Sequence, residues 1–332
     1  MMIKGERREI ILLSIKTRVT ELLNIEIPII QGGLAHLAYA DLAAAVSNAG
    51  GLGQITAMSL PNEEALRNEI KKVRQLTNRP FGVNFAIGQH GRPFEHMVQV
   101  AIEENVPAIS VTGGNPKPVL EMVEGTSIKK LVLVAAKRQA IKAAELGADA
   151  VMVVGYEGGG HLGRDDIGTF VLTPEVVDAV DIPVIASGGI SDGRGLMAAL
   201  ALGAEGIEMG TRFIATKECV HAHEAYKKAI LEADEKSTVL IKKSIGAPAR
   251  ALRNTWTDKI LELEQQQVGY EGLKDYISGE ANKRFIYDGN EEDGFAWAGQ
   301  VAMRINDIPT VQQLFDNILK EVETIKKRLT KI

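Results

Sequence analysis

The stretch that decides the fold of this chain is Val151-Met-Val-Val-Gly-Tyr-Glu-Gly-Gly-Gly-His-Leu-Gly163. Its four apolar residues, Val151–Val154, predict a buried strand that stops at Gly155. Three glycines, Gly158–Gly160, then remove side chains from the backbone, and His161 follows at once. Glycines permit positive φ and let a flat ligand approach the main chain, although a plain flexible turn has the same composition. The stretch therefore predicts a strand end that carries a ligand site and an imidazole.

Seven other short apolar segments recur along the first two thirds of the chain, separated by helical patterns. Strands that are apolar throughout are buried on both faces, as in parallel sheets. Eight such strands alternating with helices are typical of a (β/α)8 TIM barrel, and a doubly wound open sheet is the alternative. The count of eight favours the barrel. The predicted strands are Ile27–Gln31, Leu52–Ile55, Phe81–Ile87, Ala108–Thr112, Lys130–Val134, Ala150–Val154, Pro183–Ser187 and Gly206–Met209.

The alternation of strands and helices ends after Phe213, and helical patterns dominate from there. The sequence predicts a barrel over residues 15–219, a smaller helical cap over residues 220–308, and a helix over residues 309–330 that completes the barrel. Such a cap would confine a substrate and exclude water. Residues 1–14 are predicted to form a frayed or helical extension.

Composition and charge exclude several classes of function. The chain has 332 residues and a net charge of −5 without a basic block, so nucleic acid is not an expected partner. Its one cysteine, Cys219, rules out a disulfide framework and predicts a cytoplasmic protein. No stretch reaches the ~18 apolar residues of a membrane span, so no membrane partner is expected. His221 and His223 lack a carboxylate cluster, so no metal site is predicted.

Two further glycine-bearing strand ends predict a phosphate site. In TIM barrels the active site lies at the carboxyl ends of the strands, and phosphate often binds the loops after strands seven and eight. Those loops begin here with Ser187-Gly188-Gly189 and Met209-Gly210-Thr211. Both expose backbone N–H groups, and the Thr211 hydroxyl can add a hydrogen bond. Two ordinary glycine turns are the alternative, but their position at both expected loops favours a phosphate-bearing ligand.

Amide and imidazole side chains are expected on the same face of the barrel. Gln31 precedes Gly32-Gly33 at the end of the first strand, and Asn84 lies in the third. An amide pair there could read the edge of a flavin ring, whereas Asn84 alone is more simply interpreted as a satisfied core amide. His36 and Tyr156 follow strand ends and are candidate substrate contacts.

Several segments that carry these residues resemble the FMN-dependent nitronate monooxygenases, formerly called 2-nitropropane dioxygenases. The resemblance covers about residues 17–325. It extends to two related groups of the same fold, the barrel-type enoyl-ACP reductases and the NAD(P)H:quinone reductases. As a set, the segments are specific for the superfamily and much less so for the reaction. They are Pro28–Gly33, Asn48–Gly53, Pro80–Asn84, Tyr156–Gly163, Pro183–Gly195, Leu202–Phe213 and Trp297–Gln300.

The resemblance implies that FMN is the cofactor and that His161 is the catalytic residue facing it. In these monooxygenases the histidine is expected to take the α-proton from a neutral nitroalkane or to hold the anionic nitronate, and imidazole chemistry suits both roles. The implied phosphate contacts are Gly188, Gly189, Gly210 and Thr211, the implied ring contacts are Gln31, Gly32, Gly33 and Asn84, and Gly159, Gly160, Ser187 and Met209 complete the expected cofactor site.

The function implied is the oxidation of alkyl nitronates or nitroalkanes with O2. An NAD(P)H-dependent reductase acting on a quinone or an enoyl thioester is the alternative, because the chain length and the Asp165-Asp166-Ile167 run look more like the quinone reductases. Val154 and Leu133 depart from those reductases, which tend to have polar residues there. A phosphate-sugar lyase or a non-catalytic flavin protein is a further alternative, although the strand ends lack the lysine or acid pair of a lyase. The expected partners are small molecules and a second copy in a homodimer.

Overall fold

The computed structural model describes residues 15–88 and 93–331, so the extension predicted for residues 1–14 lies outside the described residues. The described strands are β1 (Ile29–Gln31), β2 (Gly53–Thr56), β3 (Phe81–Ala86), β4 (Ala108–Thr112), β5 (Lys129–Val134), β6 (Ala150–Val154), β7 (Gly160–His161), β8 (Val184–Ser187), β9 (Gly206–Met209), β10 (Thr238–Ile241) and β11 (Ala249–Leu252). The described α-helices are α1 (Arg18–Leu23), α2 (Ala40–Asn48), α3 (Glu63–Leu76), α4 (Glu95–Glu103), α5 (Lys117–Met122), α6 (Lys137–Glu145), α7 (Thr169–Val177), α8 (Gly193–Ala201), α9 (Thr211–Ile214), α10 (Glu224–Leu231), α11 (Thr255–Gln265), α12 (Gly269–Leu273), α13 (Gly279–Asp288) and α14 (Val311–Leu329).

Eight of the strands form one parallel sheet in the order β1-β9-β8-β6-β5-β4-β3-β2. Its two ends meet, because Ile30 bridges Leu52 in parallel register. The Gln31 N–H donates to the Leu52 carbonyl and the Leu52 N–H to the Ile29 carbonyl, each at 3.0 Å. The sheet is therefore a closed (β/α)8 barrel, which confirms the predicted fold class and rules out the open doubly wound sheet.

The barrel interior is apolar at one end and polar at the other. Ile30, Leu52 and Met152 pack with Val19 and Leu23 of α1, which close the amino ends of the strands. Side chains alternate along a strand, so residues two positions further on also face inward. On five of the strands those residues are polar and buried, and they are Gln54, Asn84, Ser110, Ser187 and Glu208. The polar end is the carboxyl end of the strands, where barrel active sites lie.

The segment over residues 220–308 is not all helical, which corrects the sequence prediction. β10 and β11 form an antiparallel hairpin, and β11 also pairs with β7 in the loop after β6. Residues Ala249–Leu252 favour helix by composition, so their strand state depends on this pairing and not on local propensity. Near the end of this segment, Trp297 bridges Ala251 in antiparallel register and Gln300–Arg304 forms a 3₁₀ helix.

The last helix, α14, packs along the barrel wall against α8 and α2. Its buried face includes Leu314, Phe315 and Ile318. The Gly193 N–H at the start of α8 donates to the Glu321 carboxylate of α14 at 2.7 Å. Across residues 15–88 and 93–331, no helix combines the length and apolar character needed to cross a membrane.

Replacing Phe315 with alanine is expected to lower the free energy of unfolding by about 3–5 kcal/mol, the usual cost of deleting a buried aromatic side chain. Phe315 is fully buried, and its ring centroid lies 6.2 Å from that of Phe213. The control is Leu329→Ala at the exposed end of the same helix, which should change stability by less than about 0.5 kcal/mol. Denaturant unfolding followed by circular dichroism measures both, and equal stability of the two variants would show that α14 does not support the barrel.

Candidate active site

His161 is held at the mouth of the barrel by the short strand β7. Antiparallel pairing with β11 aligns His161 with Ala249 and Gly160 with Arg250. The next residue, Leu162, donates its N–H to the Pro248 carbonyl at 2.9 Å. The His161 residue is exposed, and its ring centroid lies 5.4 Å from that of Trp297. Backbone pairing therefore fixes the position of an imidazole that solvent can reach.

Lys242, which the sequence did not mark as a site residue, lies in hydrogen-bond contact with His161. Its Nζ lies 2.7 Å from His161 Nε2 and 6.0 Å from the centroid of the Trp297 ring. Lys242 is buried, and burial lowers the pKa of its ammonium to about 8 while the charge of Glu264 acts in the opposite direction. The two partners are 81 residues apart in the sequence, so no local motif could have joined them.

The glycine run before His161 packs against the segment that follows α13. A Cβ atom at Gly159 would lie 2.6 Å from the Gly299 nitrogen, so backbone fills that space. The Gly299 N–H donates to Thr211 Oγ1 at 2.9 Å, and the Gln300 N–H donates to the carbonyl of Glu157 at 2.9 Å. At Gly160, by contrast, φ is +72° and a Cβ atom would meet only the Trp297 ring, 4.0 Å away. Gly159 therefore serves backbone packing, whereas Gly160 keeps the mouth open.

The loops after β8 and β9 present unpaired backbone donors. In the part of the chain that the structure describes, the N–H groups of Gly188, Gly189, Gly210 and Thr211 donate no hydrogen bond. Gly188 and Gly189 have φ values of +88° and +77°, a left-handed conformation that residues with side chains rarely adopt. A Cβ atom at Gly210 would meet only Leu34, 3.3 Å away, so the space beside this loop is open. A Cβ atom at Gly189 would instead meet Glu157 Oε2, so the open space lies on the Gly210 side, where unpaired donors can bind an anion.

Gln31 does not present its amide to the barrel interior. Its Nε2 donates to the Gly32 carbonyl, and its Oε1 accepts the Gln54 N–H at 2.9 Å. Gln54 faces the interior instead and donates from Nε2 to the Gln31 carbonyl at 2.8 Å. The Gln54 Oε1 atom is buried and has no hydrogen-bond partner within the described residues. The alternation from Leu52 to Gln54 along β2 was the signal that could have identified this amide.

Asn84 and Glu208 lie on either side of the glycine pair after β1. Asn84 Nδ2 donates to Ser110 Oγ at 2.9 Å, as a satisfied core amide would. A Cβ atom at Gly33 would lie 2.4 Å from Asn84 Oδ1, and one at Gly32 would lie 3.1 Å from Glu208 Oε1. Both glycines are therefore needed for polar groups to reach the mouth.

Glu208 is the one acid of this polar layer. Burial raises the pKa of its carboxyl, while a hydrogen bond with Ser187 acts in the opposite direction. Raised pKa values favour the neutral acid, which can donate a hydrogen bond as well as accept one. The neighbouring Met209 turns its side chain into the core outside the barrel, and its carbonyl accepts the Gly32 N–H at 2.9 Å.

The two predicted substrate residues occupy different places. Tyr156 lines a cavity of about 450 Å³ together with Glu157, Asp166 and Arg250, and its carbonyl accepts a hydrogen bond from Arg250 Nη2 at 3.1 Å. His36 instead packs against α13, where its carbonyl accepts the Tyr287 hydroxyl at 2.9 Å. The structure thus places Tyr156 beside a cavity and His36 against the segment over residues 220–308.

Cys219 and His223 have structural roles. Cys219 is buried, and burial raises the pKa of its thiol to about 12, which disfavours the reactive thiolate. His223 Nδ1 accepts the Ala225 N–H at 3.1 Å and so caps α10. Among residues 15–88 and 93–331, no three or more His, Cys, Asp or Glu side chains are grouped as metal ligands would be.

Comparison with known proteins supports a single family. A family model described as nitronate monooxygenase matches residues 16–90 and 87–321. A probable nitronate monooxygenase from Staphylococcus saprophyticus is 32% identical, covering 95% of this chain and 100% of that protein. Another, from Staphylococcus haemolyticus, is 33% identical over 93% of this chain and 97% of that protein.

Solved structures agree with this assignment. A structure of FabK from Thermotoga maritima superposes with a TM-score of 0.89 at 41% identity, covering 96% of this chain and 99% of that chain. A nitroalkane oxidase from Streptomyces ansochromogenes superposes with a TM-score of 0.81 at 27% identity, covering 94% and 100%. The match of the family model along most of the described barrel, together with relatives above 30% identity over nearly the whole chain, shows that this protein belongs to the nitronate monooxygenase family of flavin-dependent oxidoreductases.

Proposed function

We propose that this protein is an FMN-dependent nitronate monooxygenase that oxidises alkyl nitronates with O2. The observation that carries the proposal is the contact of His161 with the Lys242 ammonium at the barrel mouth. A nitronate is a small anion, and the Lys242 ammonium beside an exposed imidazole is suited to hold it. The names of the curated relatives point to nitronates, and the name of the Streptomyces structure points to the parent nitroalkanes.

The described residues fit FMN as the cofactor. The unpaired N–H groups of Gly188, Gly189, Gly210 and Thr211 would hold its phosphate. Gly32, Gly33 and Asn84 would lie beside its ring, and the unpartnered Oε1 of Gln54 would accept a hydrogen bond from it. Bound FMN would supply the electron acceptor and the centre that reacts with O2. Gln31 and Gly159 would contribute indirectly, because their contacts fix the backbone of the mouth.

The proposed role of His161 is to bind the nitro group of the substrate and, where the substrate is a neutral nitroalkane, to take its α-proton. Lys242 would offset the negative charge of the nitronate, since its ammonium lies in hydrogen-bond contact with the same imidazole. The Trp297 ring stands beside both groups and would shield them from water on that side. Tyr156 and the cavity beside it are the proposed entry for the alkyl part of the substrate.

An NAD(P)H-dependent reductase of the same fold is the second candidate function. It is favoured by the FabK structure, which is not named for nitronate oxidation and shares 41% identity, against 32% for the Staphylococcus saprophyticus relative. Anaerobic mixing with NADH or NADPH separates the candidates, because the monooxygenase needs no nicotinamide. Rapid bleaching of the flavin by either nicotinamide, followed by reoxidation with a quinone or an enoyl thioester, would favour the reductase.

Replacing Gly210 with leucine is expected to abolish retention of FMN while the protein remains folded. The backbone leaves space for a Cβ atom at Gly210, which would meet within 4 Å only the end of the Leu34 side chain, at 3.3 Å. The same side chain would fill the proposed phosphate site. The measurement is the flavin absorbance near ~450 nm relative to protein absorbance after purification. Gly279→Leu is the control, because a Cβ atom there meets nothing within 4 Å and the position lies on α13. A folded, fully yellow Gly210→Leu variant would refute the phosphate placement.

Replacing His161 with alanine is expected to leave the fold and the bound flavin intact and to remove most turnover. For a preformed nitronate, kcat/KM should fall by about 10²–10³, the cost of losing one positioned donor to a charged group. A neutral nitroalkane should lose more, up to about 10⁴, because it also needs a base. Oxygen consumption with each substrate measures the effect. Unchanged rates with both substrates would remove His161 from the mechanism.

A further inference from the structure

Lys242 has a backbone conformation that local sequence preference does not explain. Its φ is +66°, in the left-handed region that residues with side chains rarely adopt. The Lys242 N–H donates to Glu264 Oε2 at 2.9 Å, and its carbonyl accepts the Ala247 N–H at 3.1 Å. It directly follows Ile241, whose partner in the hairpin is Ala249, the residue that also pairs with His161. The same three-stranded sheet therefore sets the positions of the lysine and the imidazole together.

The chemistry of the contact assigns the hydrogen on the imidazole. An ammonium group has donors and no acceptor, so an ammonium 2.7 Å from Nε2 must donate to the lone pair of that nitrogen. The proton of a neutral imidazole is then on Nδ1. Since burial brings the pKa of Lys242 to about 8, the ammonium form predominates at neutral pH.

Among the described residues, the groups seen in contact with Lys242 come from three elements. β7 contributes His161, α11 contributes Glu264, and the segment after α13 contributes the Trp297 ring. Glu264 binds backbone N–H groups of Lys242 and Ser244, and its charge favours the protonated lysine. Lys243, the next residue, is exposed and points to no partner in this cluster.

We propose that Lys242 is a specificity-determining residue, which holds His161 as a hydrogen-bond donor and so makes the site prefer an anionic nitronate over a neutral nitroalkane. Removing the α-proton of a nitroalkane breaks a C–H bond and forms an N–H bond at a ring lone pair. The Lys242 ammonium binds that lone pair, so His161 can take an α-proton only once Lys242 has lost its own proton. The other ring nitrogen carries a proton and can only donate. A nitronate has already lost its proton and is an acceptor, so the donor form of His161 suits it.

The tautomer can be measured in the flavin-loaded protein without substrate, so this test is separate from the proposed function on which the inference rests. Histidine labelled with ¹⁵N distinguishes the protonated from the unprotonated ring nitrogen, and His161→Gln identifies the signal among the 6 histidines. The wild type should show the Nδ1–H form. Lys242→Met should lose it, Lys242→Arg should keep it because guanidinium is always a donor, and Lys243→Met should match the wild type. The same tautomer in the wild type and in Lys242→Met would overturn the proposal.

The kinetic test is the ratio of kcat/KM for a nitronate to that for its parent nitroalkane. Lys242→Met should lower this ratio by about tenfold or more, the scale on which a contacting charge alters proton affinity. In the wild type, activity with the neutral nitroalkane should rise as pH passes about 8, where Lys242 loses its proton and releases the lone pair. In Lys242→Arg that rise should be absent. An unchanged ratio in Lys242→Met, or an identical pH profile in Lys242→Arg, would overturn the proposal.

Lys242→Gly tests the same proposal in a protein whose backbone at position 242 is not strained. Glycine tolerates the left-handed conformation at position 242, so Lys242→Gly removes the ammonium without adding backbone strain. It should fold as well as the wild type and behave like Lys242→Met in both measurements. A Lys242→Gly variant that is folded and keeps the wild-type tautomer and ratio would show that the lysine only packs the hairpin.

Discussion

The close approach of two backbones, at Gly159 and Gly299, is the contact on which the mouth of the barrel depends. A Cβ atom on Gly159 would lie 2.6 Å from the Gly299 nitrogen, and one on Gly299 would lie 2.9 Å from the Glu157 carbonyl oxygen. The Gly299 N–H also donates to the Thr211 hydroxyl. Gly299 therefore joins the loops after β6 and β9 to the segment after α13. Any side chain at either glycine would separate these three segments. The glycine run is therefore explained in part by packing between backbones, and not only by the approach of a flat ligand.

The barrel could be predicted from the sequence because each of its strands is marked locally by an apolar run, which glycine or a polar residue follows in all but β5. The loops that carry Gly188 and Gly210 could be predicted for the same reason, since their places follow from the count of strands. The hairpin of β10 and β11 could not, because Ala249–Leu252 becomes a strand only through pairing with distant residues. Lys242 remained hidden for the same reason, as its contact with His161 spans 81 residues of sequence. For Gln31 and Gln54, the alternation along each strand was visible in the sequence, but the strand pairing was needed to fix which set of side chains faces inward.

The polar layer at the mouth is stable because its members satisfy one another. Buried polar groups are costly unless they are hydrogen-bonded. Gln31 and Gln54 exchange two hydrogen bonds, Asn84 donates to Ser110, and Ser187 bonds to Glu208. The apolar layer beneath, with α1 closing the far end, keeps water out of the interior. The unpartnered oxygen of Gln54 is thus an exception within a satisfied layer, and unsatisfied groups of this kind concentrate where a ligand completes them.

Fold stability alone does not account for a lysine at position 242. A left-handed conformation costs a residue with a side chain about 1–3 kcal/mol, and glycine or asparagine would occupy it more easily. Burial also works against the charged amine, as the lowered pKa of Lys242 shows. Both costs fall on the same residue, and Glu264 offsets them only in part, by binding the Lys242 N–H and opposing the loss of the proton. The arrangement places an amine in contact with the imidazole that β7 holds at the barrel mouth. Lys242 is therefore better explained by its effect on His161 than by packing.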